Sequence, residues 1–157
     1  NKLLFHSIDL YFHFKNELIE FYSKNKGVLF MNIGVSVYTN DEIQLLLNDE
    51  FISIIQAPFN LFDNYFQRGE VFKKAYLNGK TIDVRSVFLQ GLFFKNEMEL
   101  KTKLKPLLSY LKKIKNISLD SGHSIESLAL GYVKSFDFVD KILIGVDSID
   151  HLKRNLM

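Results

Sequence analysis

Short apolar runs rich in Val, Ile and Phe alternate along the chain with longer segments in which apolar residues recur at helical spacing. That alternation is the sequence mark of βα units around a parallel sheet. The runs predict five strands, at Leu3–His6, Met31–Val37, Ile52–Ala57, Asp83–Phe88 and Lys141–Val146. Between the first two, Phe14–Lys26 carries Leu18, Ile19 and Tyr22 on one face and is expected to stop at Gly27, whose missing Cβ suits a left-handed helix end. Thr39 or Asn40 is placed to cap a helix running through Asp41, Glu42 and Ile43 to Leu47, with both acids at the favourable end of the dipole. Glu70–Leu77 predicts a third helix, closed by Asn78-Gly79.

The longest connection, Phe94 to Asp140, must hold more than one helix, because structureless loops of that length are rare in compact domains. Leu104, Leu107, Leu108, Leu111 and Ile114 share one face, with Pro106 in a first turn or at a kink. Lys101, Lys103, Lys105, Lys112, Lys113 and Lys115 populate the same segment and read as a solvated face rather than an anion site. After Ser121-Gly122, Ser124 caps a further helix through Ile125, Leu128, Ala129, Tyr132 and Val133.

With 157 residues, 47% of them hydrophobic, the chain has enough apolar material for the core of one domain, here residues 1–157. A net charge of +2 lacks the concentrated positive field of a nucleic-acid binder. The absence of cysteine excludes disulfides, thiolate catalysis and cysteine zinc sites. No apolar stretch approaches the roughly 20 residues of a membrane helix, and no signal sequence opens the chain. The expectation is a soluble, cytoplasmic protein without nucleic-acid or membrane partners. An apolar run that begins at Leu3, with no initiator Met and little polar entry, predicts an unprotected first strand.

Periodicity alone leaves two architectures open: a complete flavodoxin-like open sheet, or strands from a (β/α)8 barrel, which needs about 250 residues when whole. Both put their chemistry at the carboxyl ends of the strands. Those ends read His6-Ser7, then Ile33-Gly34-Val35-Ser36-Val37-Tyr38, then Ile55-Gln56-Ala57-Pro58-Phe59-Asn60-Leu61. They continue with Val84-Arg85-Ser86-Val87-Phe88-Leu89-Gln90-Gly91-Leu92 and Ile144-Gly145-Val146-Asp147-Ser148, followed by Leu152 and Asn155. In this order the series resembles the second half of the aldo/keto reductases, and Ser124–Leu130 matches the family's penultimate helix. The resemblance spans essentially the whole chain. It implies the carboxyl-terminal part of a (β/α)8 TIM barrel, strands four to eight, with consecutive parallel strands.

The resemblance further implies an NAD(P)(H)-dependent reduction of an aldehyde or ketone to an alcohol, with no metal. His6 matches the active-site histidine that orients and polarises the carbonyl oxygen. Ser36 and Gln56 match residues that hold the nicotinamide carboxamide, with Val37 standing where relatives often have Asn. Arg85 stands where many relatives place an aromatic ring against the nicotinamide, and its guanidinium plane is expected to stack instead. Ser86, Phe88 and the turn at Gln90-Gly91 match the loop that approaches the pyrophosphate. Gly145, Ser148, His151 and Asn155 match the grip on the adenosine end, beside the start of the last helix. The implied cofactor is NADP(H), slightly favoured, or NAD(H): NADP-preferring relatives commonly place a cation near Gly145 to Asp147, where this chain has Gly145 and the anionic Asp147, with His151, Lys153 and Arg154 nearby to compensate.

The family's catalytic Asp, Tyr and Lys come from earlier strands, and Tyr11, Tyr38 and Lys15 do not replace them on any defensible register. The expected partners are therefore a small carbonyl substrate and a missing amino-terminal half, or another copy of the chain, covering the free strand edges. A chain of this kind would be inactive alone and active within a complete barrel. The alternative reading is a catalytically silent relative that binds cofactor or a protein.

Overall fold

The computed structural model describes residues 2–25 and 32–156, with Arg154 and Leu156 described for the backbone alone. Five parallel strands, β1 (Lys2–Phe5), β2 (Asn32–Ser36), β3 (Ile54–Pro58), β4 (Thr81–Arg85) and β5 (Val139–Ile142), pair in chain order. Helices α1 (Ile8–Asn25), α2 (Asn40–Leu46) and α3 (Tyr65–Leu77) follow the first three strands. Helices α4 (Leu108–Ser121) and α5 (Ile125–Lys134) lie between β4 and β5, and α6 (Ile149–Leu156) follows β5. The flavodoxin-like order is thereby excluded. Each connection returns the chain beside the strand it has just left, as right-handed βα units do.

The two faces of the sheet separate by residue alternation. Ile33, Val35, Ile55, Ala57, Ile82 and Val84 are buried in one core with Ile43 and Leu46 of α2, Val71, Phe72 and Ala75 of α3, and Ala129 and Val133 of α5. An aromatic knot adds to it. Phe59, fully buried, meets the rings of Phe72, Phe136 and Phe138 at centroid distances of 5.4, 5.3 and 5.9 Å. Such ring pairs contribute about 0.5–1.5 kcal/mol each beyond their buried area. The opposite face carries Leu4, Gly34, Ile54 and Thr81 in one register row and Ser36, Gln56, Asp83 and Lys141 in the next.

That second face is concave. The Lys2 ammonium lies 3.3 Å from an Asp83 carboxylate oxygen, linking β1 to β4. In a flat sheet three inter-strand spacings would hold them about 14 Å apart, beyond the combined reach of the two side chains. Gly34 permits the curl: a Cβ there would stand 2.8 Å from Ile54 Cβ and 2.8 Å from Leu4 Cδ1.

Several boundaries differ from the sequence pattern, for local reasons. α1 starts at Ile8 rather than Phe14, because Ile8 and Tyr11 are already buried against the sheet and Ser7 Oγ accepts from the Leu10 N–H. α3 starts at Tyr65 rather than Glu70, where Asn64 and Gln67 form a capping box. β4 ends at Arg85 rather than Phe88, because Ser86 turns to φ 59°. β5 occupies Val139–Ile142 rather than Lys141–Val146; beyond Leu143, whose N–H reaches Val84 O at 2.7 Å, the chain leaves the sheet. Thr39 caps α2 as expected, with Glu42 completing the box. The expected helix stop at Lys26-Gly27 and strand start at Met31 lie outside the described residues. Among those residues no helix is long and apolar enough to cross a membrane.

Candidate functional site

The carboxyl ends of β1, β2 and β3 line up. Phe5 is registered with Val35, and Ser36 with Gln56, so His6 stands one step beyond β1 level with the Ser36–Gln56 row. Ser36 and Gln56 are buried, whereas His6 is exposed. One row further along, Arg85 is registered with Pro58. Its side chain turns across the sheet. Nε donates to Ser36 Oγ at 3.3 Å, one terminal nitrogen donates to Val37 O at 3.1 Å, and the other reaches Ser86 Oγ at 3.4 Å. The guanidinium carbon lies 4.3 Å from the centre of the Tyr38 ring. The expected guanidinium plane is thus fixed at the β2 end, with Tyr38 against one of its two faces.

The loop after β4 is wound against the usual hand. Ser86, Leu89 and Gln90 adopt φ of 59°, 46° and 53°, and Gly91 follows at 80°. Left-handed backbone costs of order 1 kcal/mol at a residue with a Cβ and persists only where surrounding contacts enforce it. Gly91 takes the same conformation without that cost. A cavity of about 850 Å³ opens against this loop, lined by Ser86, Phe88, Gln90 and Gly91 and, from beyond β5, by Gly145, Asp147, His151 and Asn155. Five of the predicted cofactor residues, Ser86, Phe88, Gly145, His151 and Asn155, therefore share one cavity. Ser148 serves the same region from the start of α6, where its Oγ accepts from the His151 N–H at 3.1 Å. Ser86 connects the two halves of the site, since it lines the cavity and meets Arg85.

Two residues that the sequence reading passed over hold these loops together. Asn60 is fully buried; its Oδ1 accepts from the Phe62 and Asp63 N–H groups at 2.9 and 3.0 Å, and its Nδ2 donates to Ser86 O at 3.3 Å. Arg68, also buried, forks onto Asp63 through Nε at 2.7 Å and a terminal nitrogen at 2.6 Å, and that same nitrogen donates to Tyr38 O at 2.7 Å. The loops after β2, β3 and β4 are thus one bonded unit. The signal in the sequence was Asn60 and Asp63 in a turn after β3 with Arg68 one helical turn on, a pattern of side-chain-to-backbone closure. Lys95, Glu99 and Glu126 also line the cavity, and no local pattern marked them.

Of the residues set aside as catalytic substitutes, Tyr38 stands in the site against Arg85, whereas Tyr11 and Lys15 are committed elsewhere. At the amino ends of the strands, Asp49 accepts from Tyr11 OH at 2.8 Å, Lys15 Nζ at 2.7 Å and the Phe51 N–H at 3.1 Å. Burial, followed by the bond to Asp49 and its charge, pushes the Tyr11 hydroxyl well above its ordinary value. Burial alone would raise the Asp49 carboxyl too, but the bonds from Lys15, Tyr11 and Phe51 outweigh it and hold Asp49 below the usual range. Every partner here is satisfied, which marks a structural cluster.

The fold matches that of aldo-keto reductase AKR11C1 from Bacillus halodurans. Against its apo form the TM-score is 0.68 at 22% identity, covering 99% of this chain and 53% of that one. Against its holo form the TM-score is 0.70 at 23% identity, covering 99% and 52%. The chain therefore spans about half the length of these structures, a partial barrel of the (β/α)8 type. No curated protein matches the chain. The model of the aldo/keto reductase family matches residues 4–157, and by that match, over nearly its whole length, the chain belongs to the aldo/keto reductase family.

Proposed function

We propose that the chain, residues 1–157, is the carboxyl-terminal part of one aldo/keto reductase barrel, strands four to eight, and supplies most of its cofactor contacts. The reaction is the NAD(P)(H)-dependent reduction of a small aldehyde or ketone. The observation that carries this reading is the cavity that gathers Ser86, Phe88, Gly145, His151 and Asn155 from loops far apart in sequence.

The residues present fit a dinucleotide. The cavity wall is widened at Gly91 and Gly145, where a Cβ would meet nothing within 4 Å. The first turn of α6 offers backbone N–H groups suited to phosphate. When bound, the nicotinamide cofactor supplies the hydride. Ser36 and Gln56, buried and adjacent on the concave face, hold the carboxamide and so select which ring face is presented. His6, beside them, donates to the carbonyl oxygen as negative charge develops there. Tyr11 and Lys15 are bound to Asp49 at the other end of the strands, and in this reading the proton comes, as the family pattern implies, from residues outside this chain segment. The same outside segment, or another chain, covers the free edges of β1 and β5, each paired on one side among the described residues.

The test is binding before turnover. In the complete protein, NADH or NADPH should show enhanced nicotinamide fluorescence, and His6→Ala should lower kcat more than it weakens cofactor binding. Gln56→Ala should weaken both. The isolated chain should reduce no carbonyl. A complete protein whose nicotinamide fluorescence is unmoved by either cofactor would refute the assignment.

A further inference from the structure

Two cations close to Arg85 are each paired with a carboxylate. Lys2 meets Asp83 at 3.3 Å, and Arg68 is forked onto Asp63 at 2.6 and 2.7 Å. Arg85, only partly exposed, has no carboxylate within 4.0 Å among the described residues. Its partners are Ser36 Oγ, Ser86 Oγ, Val37 O and the face of the Tyr38 ring, all neutral. The neighbouring acids are committed: Asp83 to Lys2, Asp63 to Arg68, and Glu42 to the N–H groups of Tyr38 and Thr39 at 2.6 and 2.7 Å. A guanidinium carries five N–H donors, so two of Arg85 have no protein acceptor among the described residues. Withdrawing a cation from water without an opposite charge is costly, and such a group is repaid when an anion joins it. The stack on Tyr38 and the three hydrogen bonds fix the fork in advance, which lowers the entropy of capturing a planar anion.

We propose that Arg85, held by Tyr38 and Ser36, is the anion-recognising residue of the substrate site, receiving a carboxylate or phosphate carried by the carbonyl compound itself. The inference rests on the proposed reductase function and narrows its substrate class to short acidic aldehydes or ketones. The anion must lie a few bonds from the carbonyl, since the guanidinium reaches Ser36, on the row that His6 and Gln56 share.

The complete protein should be assayed with succinic semialdehyde and with neutral butanal, at saturating cofactor, as wild type, Arg85→Leu and Arg85→Lys. Wild type should prefer the acidic aldehyde, and in Arg85→Leu the ratio of the two kcat/KM values should fall about ten- to a hundredfold, the range for a lost charge-assisted hydrogen bond. Arg85→Lys should restore part of that ratio, because charge returns without the fork. Calorimetry with succinate, which has no reactive carbonyl, supplies an independent arm: binding should be present in wild type and lost in Arg85→Leu. An unchanged ratio overturns the proposal. So does a loss of NAD(P)H affinity without loss of the ratio, which would assign the guanidinium to a cofactor phosphate. If neither aldehyde is reduced, the reductase reading falls; succinate binding that depends on Arg85 then still supports the anion site, and binding that ignores Arg85 overturns it.

Discussion

Asn60→Ala should loosen the site without replacing any residue assigned to cofactor or substrate. The side chain is fully buried and makes three hydrogen bonds, two accepted by Oδ1 from Phe62 and Asp63 and one donated by Nδ2 to Ser86 O. Truncation leaves two backbone N–H groups and one carbonyl without these partners. At about 1 kcal/mol net for each bond, with a larger penalty wherever water cannot replace it, the cost is about 2–4 kcal/mol. In a chain of this size each kcal/mol lowers Tm by roughly 2–4 °C. Urea unfolding of the complete protein, followed by circular dichroism, measures the loss. Hydrogen exchange should locate it: the Leu89 and Gly91 N–H groups, which close turns onto Ser86 O and Phe88 O at 3.0 Å each, should exchange faster. A loss below about 0.5 kcal/mol, or faster exchange at Phe62 and Asp63 alone, would show that the Ser86 bond does not hold the left-handed loop.

Two further perturbations probe the frame. The stability of the complete protein should fall at both pH extremes for reasons lodged in one cluster. Asp49, held below its ordinary value of 3.8, contributes stability that is present above that value and lost as the pH drops through its lowered one. Tyr11, raised above its ordinary value of 10.0, contributes stability that is present below 10.0 and lost as the pH climbs beyond it. Urea midpoints measured across pH test both limbs, and Tyr11→Phe should flatten the alkaline one while costing about 1–3 kcal/mol near neutrality. Gly34→Ala should cost about 1–3 kcal/mol by overpacking, because the new Cβ would stand 2.9 Å from the Ile54 backbone oxygen, which cannot swing away. A Gly34→Ala variant as stable as wild type in urea would show that the curl does not depend on that close approach.

What was legible in the sequence follows from which interactions are local. The strand order came through from the family register together with the right-handed βα rule, since periodicity alone also allowed the flavodoxin-like order. The cap at Thr39 was readable because its partner Glu42 is three residues away. The early start of α1 was not, since Ile8 and Tyr11 are recruited by burial against the sheet rather than by propensity. Residues 86 and 88 looked like strand because they sit in a short run rich in Val and Phe, and nothing in that run announces a positive φ at Ser86. Cavity residues such as Gly145 and Asn155 were found through family order alone, because they meet Ser86 and Phe88 only when β5 is laid beside β4.

Arg85 and Arg68 differ in charge balance, a property that no local pattern in the sequence carries. Both are single basic residues that local pattern does not tell apart; family resemblance alone singled out Arg85. The structure separates them by charge balance. Arg68 is neutralised by Asp63 and bonded to Tyr38 O, so its role ends in the protein. Arg85 holds the adjacent carbonyl, Val37 O, and the Tyr38 ring, so the two guanidiniums fix consecutive residues from opposite sides. A loop held that firmly needs only one of them for folding strength, through the paired cation. The unpaired one is partly withdrawn from water, which has a cost for a cation without an opposite charge. Its position at the carboxyl ends of the strands, where this fold places its chemistry, ties that cost to recognition rather than to stability.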